Sequence, residues 1–410
     1  MTKSSGTILD GAERRARRAE AQDGPSTGSG TGGEFELLRA DVEKYVRGPA
    51  ERWAEQIERD RHVPPQVWAE LRARGYLNLA APASLGGRGL SFSRYLELME
   101  LFGMSHAAVR MIVHVVNGIW RALDRHATDE QRRRFVRPCV AGELKVAFAL
   151  TEPDAGSGAD LRCSLTREGD HYLLTGEKHM ITFGSICDCW LLFARMAGTS
   201  GAQGTVALLV PRDVANTQVD VMPESMGVRG SDHARMRFER APVPVANRLG
   251  AEGQGLEIAF GGFLAPSRIS VAMSCVGLAR RALELAIERS RSRETFGKPL
   301  WRRQAIAFMI ADMATELEAA RRLVLHAAAE WERSSPQADM LSSMSKLFAV
   351  SMLQRVTDGA LQVHGGIGYW QPHPIERVYR DARAQRFEEG TNEIQKTVIA
   401  RQIFKERSAS

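Results

Sequence analysis

The stretch HYLLTGEKHMIT, residues 171–182, decides how the chain divides. Its β-formers, bounded by turn residues, read as a strand. CWLLFARM (189–196), GTVALLVP (204–211) and HARMRFERAPVP (233–244) follow as further strands, separated by Gly, Asp and Asn and spaced as in a small sandwich or barrel. On either side the pattern is helical. EFELLRADVEKYVRGPAERWAEQIERD (34–60) repeats its apolar positions at three- and four-residue spacing. PPQVWAELRARGY (64–76) opens on prolines suited to a first turn, and SFSRYLELMELFGM (91–104) and TDEQRRRFVRPCVAGE (128–143) open on Ser91 and Thr128 as N-caps. Downstream, residues 267–293, 303–335, 338–366 and 393–407 are amphipathic helical stretches. The expected plan is α+β and mostly helical: a tail over 1–33, a helical domain over 34–145, a β-barrel or sandwich domain over 146–249 and a helical-bundle domain over 250–410. Cofactor clefts commonly lie at such domain seams.

Composition narrows the functional classes. Of 410 residues, 44% are hydrophobic and 25% charged, the ordinary globular range. No apolar run of about 20 residues stands out as a membrane span, and the first residues lack the apolar core of a secretory signal. Five cysteines, too few for a disulfide framework, point to a reducing cytoplasm. The net charge of +6 comes without a basic stripe interleaved with aromatics, so nucleic acid is not the expected partner; an acidic carrier protein or a phosphorylated substrate is. The low-complexity segment DGPSTGSGTGG within the tail is expected to be disordered, and its matches to the dinucleotide-binding (Gly28, Gly30, Gly33) and nucleophile-elbow (Gly24, Ser26, Gly28) patterns lack a strand before or a helix after.

Five ordered signatures carry more: FALTEPDAGSGAD (148–160), GEKHMITFG (176–184), RSRETFGKPL (291–300), QVHGGIGY (362–369) and EEGTNEIQ (388–395). In the first, a strand runs into a turn of Gly and small polar residues, whose backbone N–H groups and hydroxyls suit a ring with carbonyl and imide edges and a phosphate. Together they resemble the flavin-dependent acyl-CoA dehydrogenases over about residues 34–406. The resemblance implies that family's three-domain fold, closing in a four-helix bundle, with FAD as cofactor. It implies flavin contacts from Phe148, Leu150, Thr151, Ser157, Met180, Ile181 and Thr182; contacts to the FAD of a neighbouring subunit from Arg293, Phe296, Gln304, Gln362, Gly365 and Gly366; and further cofactor contacts from Thr391, Asn392 and Glu393. FAD shared across subunits implies a homodimer or homotetramer. His364, inside the fourth signature, reads as structural. Two positions depart from the family pattern: Met180 stands where an aromatic is common, and Phe183 where a small polar residue is.

The resemblance also implies α,β-dehydrogenation of an acyl thioester, with Glu389 taking the α-proton and the flavin the β-hydride. A dry carboxylate is a stronger base than a solvated one. Gly390 permits close approach of substrate, and Thr391 caps the following helix. Glu388 is an unusual second acid, expected to raise the pKa of Glu389 if both are buried and to be a bystander if exposed. The competing base position, on the helix near 263–272, holds no acid. Ser157, Arg268 and Gly390 are the expected substrate contacts. Ala265 stands where CoA-using relatives carry an Asp that meets the pantetheine arm; its absence admits an acyl or peptidyl carrier protein in place of CoA. An electron-transfer flavoprotein is the expected acceptor. A flavin oxidase or monooxygenase on the same fold, a metal enzyme and a non-enzymatic binding protein are the alternatives. Cys187 and Cys189 form C-x-C, read as core thiols on one side of a strand with no metal completing the set. His106, Met111, His114 and Trp120 read as helix core near the cavity wall.

Overall fold

A computed structural model of the chain describes residues 32–154 and 160–408. The tail expected to be disordered lies outside these residues up to position 31, as does Ser157.

The first helical stretch forms two helices, α1 (Gly32–Arg47) and α2 (Pro49–Asp60), because Gly48-Pro49 interrupts it. α3 (Pro65–Ala73) and α4 (Phe92–Gly103) follow, the latter capped by Ser91, which accepts from the Arg94 N–H. α5 (Ala107–Asp124) is capped by His106, whose Nδ1 accepts from the Ala108 N–H. α6 (129–140) opens on a capping box between Thr128 and Gln131 and contains a π-turn over Arg132–Val136.

The middle unit is one mixed sheet of eight strands: β1 (Val146–Ala149), β2 (Ser164–Glu168), β3 (His171–Thr182), β4 (Cys189–Met196), β5 (Thr205–Pro211), β6 (Thr217–Val221), β7 (His233–Pro244) and β8 (Arg248–Leu249). Its order is β6-β7-β3-β2-β4-β5-β8, with β1 parallel to β4. Alternation divides the central strands between two cores. Trp190, Leu192 and Ala194 point into a core built wholly from the β unit, whereas Cys189, Leu191 and Phe193 face helices α5 and α6. Cys187 and Cys189 therefore do not share a side. β4 begins only at Cys189, so the period-2 rule does not reach Cys187, which sits in the other core. Among the described residues no His/Cys/Asp/Glu group could hold a metal, and all five cysteines are free and buried.

The C-terminal block is led by α7 (Gly255–Ser292), with a π-turn over Ile258–Leu264. Among the described residues α7 is the one helix long and apolar enough to cross a membrane, and its apolar window is entirely buried inside the protein. A β9–β10 hairpin (Glu294–Thr295, Lys298–Pro299) leads to α8 (Gln304–Glu332), α9 (Ala338–His364), α10 (Pro374–Ala384) and α11 (Asn392–Ser408). α7 crosses α4 so closely that a Cβ on Gly277 would lie 2.0 Å from the Glu100 carbonyl oxygen, so only glycine fits there. Separately, α5 and the start of α7 meet at the loop joining α10 to α11.

Candidate active site

The α10–α11 loop carries Glu388 and Glu389. Glu389 has φ 53°, a left-handed conformation that a non-glycine residue holds only under constraint, and Gly390 follows at φ 94°. Side chains from three elements hold this backbone. The Glu389 carbonyl accepts from Arg268 Nε (3.3 Å) and Gln395 Nε2 (3.1 Å). The Gly390 carbonyl accepts from Lys346 Nζ (2.6 Å) and Gln395 Nε2 (3.0 Å). Lys346, fully buried on α9, also reaches the Arg386 carbonyl at 3.4 Å; burial pulls its pKa down to about 8.

The two carboxylates meet different partners. Glu388 receives a bidentate pair from the buried Arg110 guanidinium at 2.8 and 2.9 Å. Burial works to raise the Glu388 pKa, and Arg110 overcomes it, so the group stays below its ordinary value. Glu388 is therefore not a bystander: its charge is balanced by Arg110, in the first turn of α5. Glu389 meets a hydroxyl instead. Ser267 Oγ donates to Glu389 Oε1 at 2.8 Å, and His114 Nε2 lies 2.8 Å from that Oγ and 3.6 Å from Oε1. The only Ser267 hydroxyl proton is committed to the carboxylate, so the imidazole donates from Nε2, leaving Nδ1 buried without a partner among the described residues.

From sequence His114 reads as helix core, and Arg110 carries no expectation. The available signal was their spacing: His106, Arg110 and His114 recur every four residues and so share one face of α5. Arg268, expected at the substrate, is buried and turned to the Glu389 carbonyl. Ala265 is buried at the head of the same helical turn.

The segments expected to face a flavin lie together. The His179 N–H donates to the Thr151 carbonyl at 2.9 Å, and the buried Lys178 donates to the Leu150 carbonyl at 2.9 Å and pairs with Glu152 at 2.8 Å. The side chains of Leu150 and Ile181 are buried in the two cores, which leaves only their backbone groups for a ligand. Phe148 stacks on Phe263 with centroids 4.7 Å apart. Met180 is 53% exposed with φ 54°, and Thr182 Oγ1 lies 3.2 Å from His233 Nε2. Thr391 caps α11, accepting from the Ile394 N–H, and Asn392 Oδ1 is buried without a partner among the described residues.

Arg293, Phe296, Gln304, Gln362, Gly365 and Gly366 are exposed. The α8–α9 hairpin, pinned by Arg355 to Glu316, brings Gln304 and the Gln362–Gly366 segment to one end of the bundle. The β9–β10 hairpin is tied to this end by Arg303, and it displays Phe296 at 95% exposure with φ 49°. An unsatisfied buried amide at a helix start, two joined strand ends and a bare aromatic beside an arginine fit a large flavin dinucleotide with polar and aromatic parts.

Comparison with known proteins agrees. Family models for the N-terminal, middle and C-terminal domains of acyl-CoA dehydrogenase match residues 33–143, 147–241 and 253–404. An acyl-CoA dehydrogenase of Bacillus subtilis (strain 168) is 34% identical over 90% of this chain and 97% of its own. The CarC subunit of the caffeyl-CoA reductase-Etf complex of Acetobacterium woodii is 34% identical over 86% of this chain and 93% of its own. Among solved structures, the prolyl acyl carrier protein oxidase AnaB superposes with a TM-score of 0.84 at 27% identity, over 90% of this chain and 98% of its own. The chain thus belongs to the acyl-CoA dehydrogenase family and is an FAD-dependent oxidoreductase acting on the CH–CH bond of acyl thioesters.

Proposed function

We propose that Glu389 is the base that removes the α-proton of the thioester. One observation carries this reading: the Glu389 carboxylate is 13% exposed and bonded through Oε1 to a neutral hydroxyl, while the adjacent Glu388 is locked by Arg110. Among the described residues no Lys or Arg nitrogen bonds the Glu389 carboxylate, so Oε2 can accept a proton. The left-handed turn at Glu389, held by Arg268, Lys346 and Gln395, fixes where that oxygen stands. Bound FAD supplies the acceptor for the β-hydride.

The substrate is proposed to be an acyl group on a carrier protein, with CoA as the second reading. Ala265 in place of an acid, the net charge of +6 and the similarity to AnaB support the first; the CoA-named relatives support the second. The proposed acceptor is an electron-transfer flavoprotein, supported by the Etf complex named for the Acetobacterium woodii relative. A homo-oligomer is supported by the exposed aromatics Phe296, Tyr369 and Trp370. Five free cysteines support a reducing cytoplasm.

The test is flavin bleaching in wild-type, Glu389→Gln and Glu388→Gln enzymes, each given matched CoA and carrier-protein thioesters. Glu389→Gln should retain FAD and lose roughly a thousandfold in reduction rate. Near-normal reduction by Glu389→Gln alongside loss in Glu388→Gln would move the base to Glu388. Equal or better reduction by the CoA thioester would remove the carrier.

A further inference from the structure

We propose that His114, acting through the Ser267 hydroxyl, is a positioning residue that fixes the Glu389 carboxylate with Oε1 held and Oε2 presented to the α-carbon. This rests on Glu389 being the base. The Glu389 carbonyl is held by two side chains, Arg268 and Gln395, but among the described residues its carboxylate has one hydrogen bond, from Ser267. An unrestrained serine hydroxyl turns among staggered positions and would let the carboxylate turn with it. His114 Nε2, 2.8 Å from the same oxygen, supplies the second contact that stops this rotation.

His114 is itself packed in by its surroundings. It is 3% exposed on α5, with its ring centroid 6.3 Å from that of Phe263, which stacks on Phe148. Phe263 lies in the π-turn of α7 that immediately precedes Ser267. There the Ala265 N–H bonds five residues back, to the Phe260 carbonyl, which changes the helical phase before Ser267. A Cβ on Gly118 would come within 3.0 Å of Phe263, so the bare glycine on α5 admits that ring beside His114.

The neighbouring charges have other commitments. From α5 Arg110 is bound to Glu388, from α7 Arg268 to the Glu389 carbonyl, and from α9 Lys346 to the carbonyls of Gly390 and Arg386. Glu388, the charged neighbour within the turn, is neutralised by Arg110. A histidine–serine pair thus orients the base without placing a permanent cation on it, which would weaken it as a proton acceptor.

The test uses FAD-loaded full-length enzyme and an acetyl thioester, on CoA and on carrier protein, in D2O. This substrate has no β-carbon, so no hydride leaves; its α-proton passes to the base and a deuteron returns, read by NMR as a function of pH. His114→Leu should slow exchange roughly ten- to hundredfold through misplacement of the base. Losing the buttressed hydrogen bond should also move the acid limb of the profile to higher pH. His114→Gln, whose amide nitrogen can stand near the lost Nε2, should recover most of both. Ser267→Ala should resemble His114→Leu, and combining the two should add little. A wild-type rate and profile in His114→Leu overturns the proposal. So does an equal loss from His114→Leu when Ser267 is already Ala, because His114 would then act on Glu389 directly. His114→Gln no better than His114→Leu, with both equally lowered in thermal midpoint, overturns it in favour of packing. Unchanged exchange in Glu389→Gln defeats the base assignment itself; inert Glu389→Gln with a wild-type-like His114→Leu defeats only the positioning role.

Discussion

Two largely buried glutamates meet the same face of α5, at histidines eight residues apart along it, and they are handled in opposite ways. At the start of the helix, His106 Nε2 lies 3.3 Å from Glu58, which also receives Arg380 at 2.8 Å and Arg229 at 3.3 Å. Burial works to raise the Glu58 pKa, but His106 and Arg380 outweigh it and hold it down at about 2. This junction joins α2, α5, α10 and the loop after β6, and its carboxylate is an anion at any ordinary pH. Two turns along, His114 faces Glu389 through a serine, and no arginine joins them. A histidine beside a buried glutamate therefore does not make a structural ion pair or a base; what else bonds the carboxylate decides which. Arg110, midway between the two histidines, keeps the second kind of site clean by taking Glu388 out of play.

The largest effect should come from breaking that middle rung. Arg110→Leu strands Glu388 as an unpaired buried charge, and stability should fall by about 3–5 kcal/mol in denaturant unfolding. Arg110→Leu combined with Glu388→Leu should recover most of the loss, since an apolar pair carries no uncompensated charge. If the single substitution is mild, Glu388 has access to water, and the contrast with Glu389 fails.

The next test concerns Glu58. Its folded pKa lies below its ordinary value of 4.5, so the unfolded chain binds the proton more readily. The stabilisation is full above about pH 4.5 and is lost as pH falls towards 2. In acid unfolding Glu58→Gln should lack this loss while being less stable than wild type at neutral pH, where the arginines are left without their anion. A parallel acid dependence in both proteins would mean that the junction does not hold Glu58 ionised.

Much of this was legible in the sequence. Strands β3, β4 and β7 end where alternation and turn residues place them, and the EEGT turn stood out because two acids before Gly-Thr have few structural uses. The partners of those acids were not legible. Arg110 and Glu388 are 278 residues apart, and apolar neighbours on α5 make Arg110 and His114 look like members of a helix core. Nothing in the sequence sets Ser267 apart from the other serines of its helix. Its value comes from what α5 brings to it, and periodicity does not report which helix faces which. The misplaced Cys187 has a local cause: it lies before the first residue of β4, where strand alternation does not apply.

The smallest effect belongs to Lys346, a third way of treating a buried charge: among the described residues it has carbonyl partners and no anion bonded to it. Lys346→Met removes a hydrogen bond to the Gly390 carbonyl, which still keeps Gln395, and at the same time relieves the burial of an ammonium. These effects oppose each other, so at pH 7 the change in unfolding free energy should stay within about 1 kcal/mol. The dependence on pH separates them. The lysine's folded pKa of about 8 lies below its ordinary 10.5, so between these values the unfolded chain holds more protons than the folded one. Wild-type stability relative to Lys346→Met should therefore rise as pH climbs from 8 to 10.5, measured as the difference between the two unfolding curves. A constant difference across that range would show that the ammonium is as well solvated in the fold as in water, and Lys346 would then be no more than a surface-like tether for the Glu389–Gly390 turn.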